Sequence, residues 1–326
     1  EGSAATVDEQ LKAAGGVSIL ATDRSSITAV AEASSMAIAV GGIGGGALSL
    51  GVSLSRNLID SDVLAAISNS GSISTHAEVD SDLTVQATNL SRINAQTSAA
   101  SFAAGFGGLG GLSVSGAGAE ARNTILGDTR AIIENSVLDV QGNMEVHANA
   151  SAVIEAIITS ESDAVAGGGL AGVGAAVGVS LARNFIGLRQ NSDHTDPTNY
   201  DYTLDDDPGL IGKGDRVYIN DGVRQGDIYE YVNDSYLIRE PNKSILATTD
   251  FGNPELWVLV NRENAGAEVL AAVDNSRVEV TGLASVEAKS LQSINARVSS
   301  SASAFSAGGL SASSSSGAGA GATNAI

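Results

Sequence analysis

The side chains of this sequence that could do chemistry fall into two small groups. The first is acidic. Asp60-Ser61-Asp62, Asp80-Ser81-Asp82 and the run Asp205-Asp206-Asp207 could offer oxygen ligands to a hard cation such as calcium. None follows the spacing of an EF-hand or of a Gly-Gly-x-Gly-x-Asp repeat, so solvated acidic turns are the competing reading. The second group is aromatic. Tyr229, Tyr231 and Trp257 could stack on sugar rings or fill a small core. Catalysis has less footing. His76, His147 and His194 are dispersed, and the run from Gly41 to Gly46 lacks the Lys-Ser/Thr that completes a phosphate-binding loop. Carboxylates do not cluster as a sugar hydrolase would require. The expectation is a protein that is not an enzyme.

The elements that would position these groups come from repetition. Gly51-Val-Ser-Leu-Ser-Arg-Asn57 recurs as Gly116-Ala-Gly-Ala-Glu-Ala-Arg-Asn123, as Gly178-Val-Ser-Leu-Ala-Arg-Asn184 and as Gly317-Ala-Gly-Ala-Gly-Ala-Thr-Asn324. The asparagines are 66, 61 and 140 residues apart. A second anchor, at Ala21, Ala87, Ala148 and Ala288, repeats the same spacing. Two independent anchors with one spacing mark a fold in which each unit stacks on its neighbours.

Each unit has a Gly/Ala/Ser tract, then an Ala-x-[Ile/Val]-x-Asn-Ser segment, then an alternating stretch such as Met144-Glu-Val-His-Ala148. Alternation of apolar and polar residues is the period of a half-buried strand, and Asn-Ser and Gly supply turns. Helix signals are weak, with only Val7 to Ala14 able to pass for a short one. The reading is all-β, an elongated repeat β-solenoid. A coil of roughly 20 residues would place three coils in each unit, about twelve in the chain. A wide coil using the whole unit is the competing geometry. Large residues in odd units, Leu50 and Val52, correspond to glycine in even units, Gly116 and Gly118. That alternation predicts that these glycines sit where another strand or sheet approaches closely.

Residues 187–264 break the pattern. They hold all six tyrosines, all four prolines and the one tryptophan. The domain reading is repeats over 1–186, a small inserted β domain over 187–264, and repeats again over 265–326. Insert strands are expected at Arg216 to Ile219, Ile228 to Val232 and Trp257 to Val260.

Composition bounds the partners. Net charge is −20 and the pI is about 4.3, which disfavours nucleic acid and anionic lipid. The absence of cysteine removes disulfides and thiol chemistry. No secretory leader is visible. The uncharged stretch 33–55 is long enough for a membrane span, but its serine and glycine content and its period of two predict a strand, with no membrane span. Sequons occur at Asn89, Asn149, Asn233 and Asn242.

The repeats, Gly-Val-Ser-x-Ala-x-Asn followed by Ala-x-Ile-x-Asn-Ser, resemble those of filamentous-haemagglutinin-like giant bacterial surface adhesins. The resemblance implies a secreted, extended β-solenoid at the cell surface, used for adhesion or matrix building. Separately, Gly214-Asp215-x-Val217, Asp227-Ile-Tyr-Glu-Tyr-Val232 and Pro254-Glu-Leu-Trp-Val258 resemble small chitin- and cellulose-binding modules. That resemblance implies a glycan partner, although the usual second exposed tryptophan is missing. The ends also complement each other. Asn324-Ala-Ile326 matches Asn123-Thr-Ile125, and the segment after Ile125 has its counterpart in Ala5-Thr-Val7. Copies of the chain are therefore expected to stack head to tail, with Ala5, Val7, Asn324 and Ile326 at the junction and no cap at either end. Covalent tandem copies would make the same junction.

Overall fold

The computed structural model describes every residue except 1–2, 8–10, 14, 76–80, 188–198, 222–223, 239–245, 247–248, 250, 252–255 and 261–266. His76, His194, Asp80 and the linker 191–197 therefore lie outside the described residues. The described chain is all-β. The first repeat supplies β1 (Ser3–Val7), β2 (Leu11–Ala13), β3 (Val17–Asp23), β4 (Ser26–Gly41) and β5 (Gly44–Asp60). The second supplies β6 (Val63–Ser68), β7 (Ile73–Thr75), β8 (Leu83–Asn89), β9 (Arg92–Gly107) and β10 (Gly110–Leu126). In the third, β11 (Thr129–Glu134) and β12 (Val137–Val140) precede two long strands, β13 (Met144–Gly168) and β14 (Ala171–Ile186). The insert carries β15 (Tyr202–Thr203), β16 (Leu210–Ile211), β17 (Arg216–Tyr218), β18 (Ile228–Tyr231), β19 (Leu237–Ile238) and β20 (Trp257–Leu259). The last repeat is β21 (Val269–Asp274), β22 (Arg277–Val280), β23 (Ala284–Gly308) and β24 (Ser311–Ala325).

Pairing is between repeats, not within them. Sheet I is β1-β6-β11-β21, sheet II is β2-β7-β12-β22, and sheet IV is β5-β10-β14-β24. Sheet III sets β3 and β4 beside β8 and β9, then β13, then β23. Within these four sheets every pair is parallel and in register, so Asn57, Asn123, Asn184 and Asn324 share one row. Each repeat thus lays one layer across all four sheets. This corrects the twenty-residue coil: the whole unit makes one layer. Four layers at ~4.8 Å advance the stack by about 19 Å, not the sixty a twelve-coil shaft would give.

The corners follow from the Asn-Ser motif. Asn69, Asn135 and Asn275 have φ of 53°, 49° and 40°. That left-handed conformation is one asparagine tolerates better than most residues, and it turns the chain from sheet I into sheet II. Val7 to Ala14 is not helical where described, because Val7 ends β1 and Leu11–Ala13 is β2.

Two kinds of interior result. Sheets I, II and the first part of III enclose aliphatic rows such as Ile67, Ile133, Leu83, Val85 and Val146. Beyond the row Ile59, Ile125, Ile186, the rest of sheet III lies against sheet IV as a thin two-sheet blade. Its interior is mostly alanine, serine and glycine, with Ile158 and Thr97 as the larger exceptions. A Cβ on Gly45 would stand 2.0 Å from the Phe106 carbonyl oxygen, and one on Gly105 2.0 Å from that of Leu112. The two backbones come so close only because these positions lack side chains. The expected close approach at Gly116 and Gly118 is not found. Both face outward on sheet IV. A Cβ on Gly116 would stand 2.8 Å from Leu50 Cδ2, the movable end of a neighbouring side chain, and 4.0 Å from the Val177 carbonyl oxygen. One on Gly118 would meet nothing within 4 Å. Sequence showed the alternation but not which parity faces in.

Candidate functional site

The asparagine anchors build a ladder along the stack. Asn57 Nδ2 donates to Asn123 Oδ1 at 2.7 Å, Asn123 Nδ2 to Asn184 Oδ1 at 2.8 Å, and Asn184 Nδ2 to Asn324 Oδ1 at 2.8 Å. The middle members are fully buried. An amide suits this row because it donates to one neighbour and accepts from the other. The ladder has polarity, with an acceptor at the Asn57 end and a donor at the Asn324 end. Serine rows do similar work inside the blade, where Ser101 bonds both Ser49 and Ser115.

The end layers carry the expected junction residues. Ala5 and Val7 lie on β1, half-buried against Ala65 and Ile67. Asn324 lies on β24, and Ile326 follows it, largely exposed. The first and last layers share one cross-section. Each leaves one side of its strands unpaired, and the inward residues there, such as Ile27 and Ile294, are only partly covered.

The insert folds around its own aromatics. β17, β18 and β20 form an antiparallel sheet close to the expected spans. Tyr229, Tyr231 and Trp257 are all buried, with Tyr231 edge-on to Trp257 at 5.1 Å and Phe251 4.8 Å from Trp257. The three rings are core, so they do not form the exposed platform that sugar stacking needs. Trp and Tyr faces large enough to bind a sugar were also large enough to fill a domain this small.

The same sheet docks on sheet I through charges. Arg130 of β11 pairs with Asp128 at 3.0 Å, Asp227 at 2.9 Å and Glu268 at 2.8 Å. Arg224 pairs with Glu134 at 3.2 Å and donates to the Tyr229 hydroxyl, which itself donates to Asp227. Burial works against both guanidinium charges, but the surrounding acidic groups outweigh it and hold both pKa values above the ordinary arginine value. Burial pushes the Tyr229 hydroxyl up, and it pushes Glu268 up although Arg130 opposes it. Ala66 and Ile132 point to this same outer side of sheet I and are nonetheless buried. Sequence reading missed Arg130. Its signal was a charged residue in a row otherwise held by Ala4, Leu64 and Leu270.

Where described, members of the acidic groups act as local acceptors. Asp62 Oδ1 takes the Asp128 N–H at 3.0 Å, and Asp205 takes the Asn220 amide at 2.6 Å. Asp206 accepts the N–H and the hydroxyl of Thr203, which lowers its pKa. Asp60 ends β5, and Asp207 lies beside its neighbours in the insert. Among the described residues, no three His, Cys, Asp or Glu side chains are grouped to hold a metal ion. No described helix is long and apolar enough to cross a membrane. His147 is on the surface near Ser285. Asn89, the first sequon, is buried and bonded to Ser61 and Ser91.

A cleft of about 620 Å³ separates the insert from the stack, lined by Glu134, Asn135, Asp205, Asp221, Arg224 and Asp274 among others. No known family model, curated protein or solved structure matches this chain.

Proposed function

We propose that this chain is a structural segment of an extracellular, cell-surface fibre: a β-solenoid that continues lengthwise, layer upon layer. The observation that carries the reading is the polar asparagine ladder ending in a complementary donor and acceptor on layers of equal cross-section. A layer added at either end would pair the open strand edges and extend every ladder by one rung. The next layer comes from a second copy, head to tail, or from further repeats of a longer polypeptide. A heterologous contact of this kind does not close, and so gives a filament. The strongly acidic surface keeps such material soluble outside a cell and away from nucleic acid. The role is structural rather than catalytic.

Electron micrographs over a concentration series test this reading. The expected objects are rods whose length grows with concentration at a rise of about 19 Å per copy. A single particle length at every concentration, with a midpoint of thermal unfolding independent of concentration, would overturn the non-covalent form.

The second reading is a surface adhesin that binds glycan through the insert. The cleft beside Asp205 and Asp274 supports it, since carboxylates and amides suit sugar hydroxyls. A glycan array probed with the full chain tests it, and loss of any signal in Asp274→Ala would place the contact there.

A further inference from the structure

We propose that the outer face of sheet IV pairs with the same face of a second copy, layer order reversed, so that aliphatic ridges of one enter glycine furrows of the other. The face is apolar and open. Leu50 and Val52 are each 64% exposed, and Val177 and Val179 are 54% and 51% exposed. In register between and beyond these rows lie Gly116 and Gly118, then Gly317 and Gly319. Nothing stands within 4 Å of a Cβ placed on Gly118, Gly317 or Gly319, so three of the four furrow positions are empty.

The order of layers is ridge, furrow, ridge, furrow. A two-fold axis running along the strands, between two such faces, reverses that order. It sets the first layer against the fourth and the second against the third. Leu50 then meets the second copy's glycine row at position 317, and Val52 meets the row at 319. Val177 and Val179 meet the rows at 116 and 118. At these two rows every ridge finds a furrow with no offset. One step outward, in the row Gly46, Leu112, Val173 and Ser313, the exposed Leu112 and Val173 meet each other and mark the edge of the fit. The contact is isologous and closes. A lipid phase would accept apolar side chains in any arrangement and has no use for a relief that repeats every second layer.

Charge points the same way. Residues 37–53, 103–119, 164–180 and 304–320 contain no charged side chain, in a chain whose net charge is −20. Two acidic molecules can therefore meet here without bringing like charges together. The area sets the strength. Four strands at ~4.8 Å by about eight residues at ~3.3 Å give roughly 500 Å² per copy. A stable stand-alone interface needs about 800 Å² per partner. Single copies should pair weakly, and each added layer should strengthen the pair. In that strengthening alone the proposal rests on the fibre reading.

The chain has no cysteine, which makes a direct test possible. Chains carrying Val179→Cys are mixed with chains carrying Gly118→Cys and treated with a short bismaleimide. Both positions lie in inner layers, so end-to-end stacking cannot bring them together between copies. The expected product is a mixed covalent dimer, its yield rising with concentration. It should fall at least several-fold when Leu50, Val52 and Val177 are all replaced by Ser in both chains, exposed positions whose change leaves the fold intact. Circular dichroism of the variants checks that it does. Lengthwise growth without the mixed dimer would overturn this inference and leave the fibre reading standing. The mixed dimer without lengthwise growth would do the reverse. Flotation of single chains with phosphatidylcholine vesicles, lost in the serine variant, in place of dimer formation would overturn it in favour of a lipid surface.

Discussion

Arg130 Nη1 lies 2.9 Å from Asp227 Oδ2, across 97 residues of sequence and between two differently built parts of the chain. The arginine belongs to a stacked strand and the aspartate to the insert, and both are largely buried. Removing one partner of such a pair leaves charge stranded in a poor solvent. Arg130→Met would strand three carboxylates, Asp128, Asp227 and Glu268. Its expected cost is about 3–5 kcal/mol, measured by chemical denaturation. A loss below ~1 kcal/mol would mean that water reaches the cluster freely.

The insert itself gives a second prediction. The repeats resume intact on its far side, which taken alone would make it dispensable. The contacts lead elsewhere. Deleting 188–266 would uncover Ile132 and Ala66 and leave Arg130 without Asp227. The shortened chain should keep its β content but aggregate. Adding Ile132→Thr should restore solubility, while Arg130, then open to water, keeps its charge and its partners Asp128 and Glu268. An untouched, soluble deletion variant would show that the insert only rests on sheet I.

Much of the stack was legible because it rests on short-range rules. The Asn-Ser pairs announced turns, and the alternating stretches announced strands. The repeated Asn57 motif announced that the units stack. Layer size was not legible, because a period of two says that a segment is a strand and not which strand lies beside it. Only the register of Asn57 on Asn123 shows that a whole repeat intervenes. The parity of the glycines was hidden for a similar reason. Gly45 and Gly116 sit in similar low-complexity tracts, and only the opposing Phe106 carbonyl tells inward from outward. The aromatic trio was legible as either a stacking platform or a small core, and burial decides for the core.

That parity is testable in one pair of variants. Gly105→Ala would place a methyl 2.0 Å from the Leu112 carbonyl oxygen, which belongs to backbone and cannot swing aside. Overpacking of this kind costs about 1–3 kcal/mol or more. Gly118→Ala has open space and should be neutral or mildly stabilising, since alanine orders the unfolded chain. Equal effects at both sites would mean that the sheets are not so closely apposed.

Glu268 contributes its own pH dependence where the insert docks. Burial raises its pKa above the ordinary value of 4.5, even with Arg130 beside it. For a carboxyl group raised on folding, its contribution to stability is full below the unfolded value. It is lost as pH rises through the folded one. Glu268→Gln removes that loss. The variant should therefore improve relative to wild type as pH increases from about 4 toward neutrality, read as the difference in Tm across the series. A wild-type advantage that grows with pH would show instead that the pair with Arg130 outweighs burial.

The asparagine ladder supports the last prediction, because its members differ only in position. Asn123 is bonded on both sides and fully buried, whereas Asn324 has a partner on one side and is exposed. Asn123→Ala leaves the Asn57 donor and the Asn184 acceptor unmatched in the interior. Each buried orphan costs about 1–3 kcal/mol. Asn324→Ala orphans only the Asn184 donor near an open end, where water can reach it, and should cost less than ~1 kcal/mol in the isolated chain. In a growing filament the ranking changes. The added layer buries the Asn324 row, so Asn324→Ala should then weaken lengthwise growth several-fold while leaving the unfolding of single chains nearly untouched. A ladder that served only to hold one chain together would show the first difference and not the second.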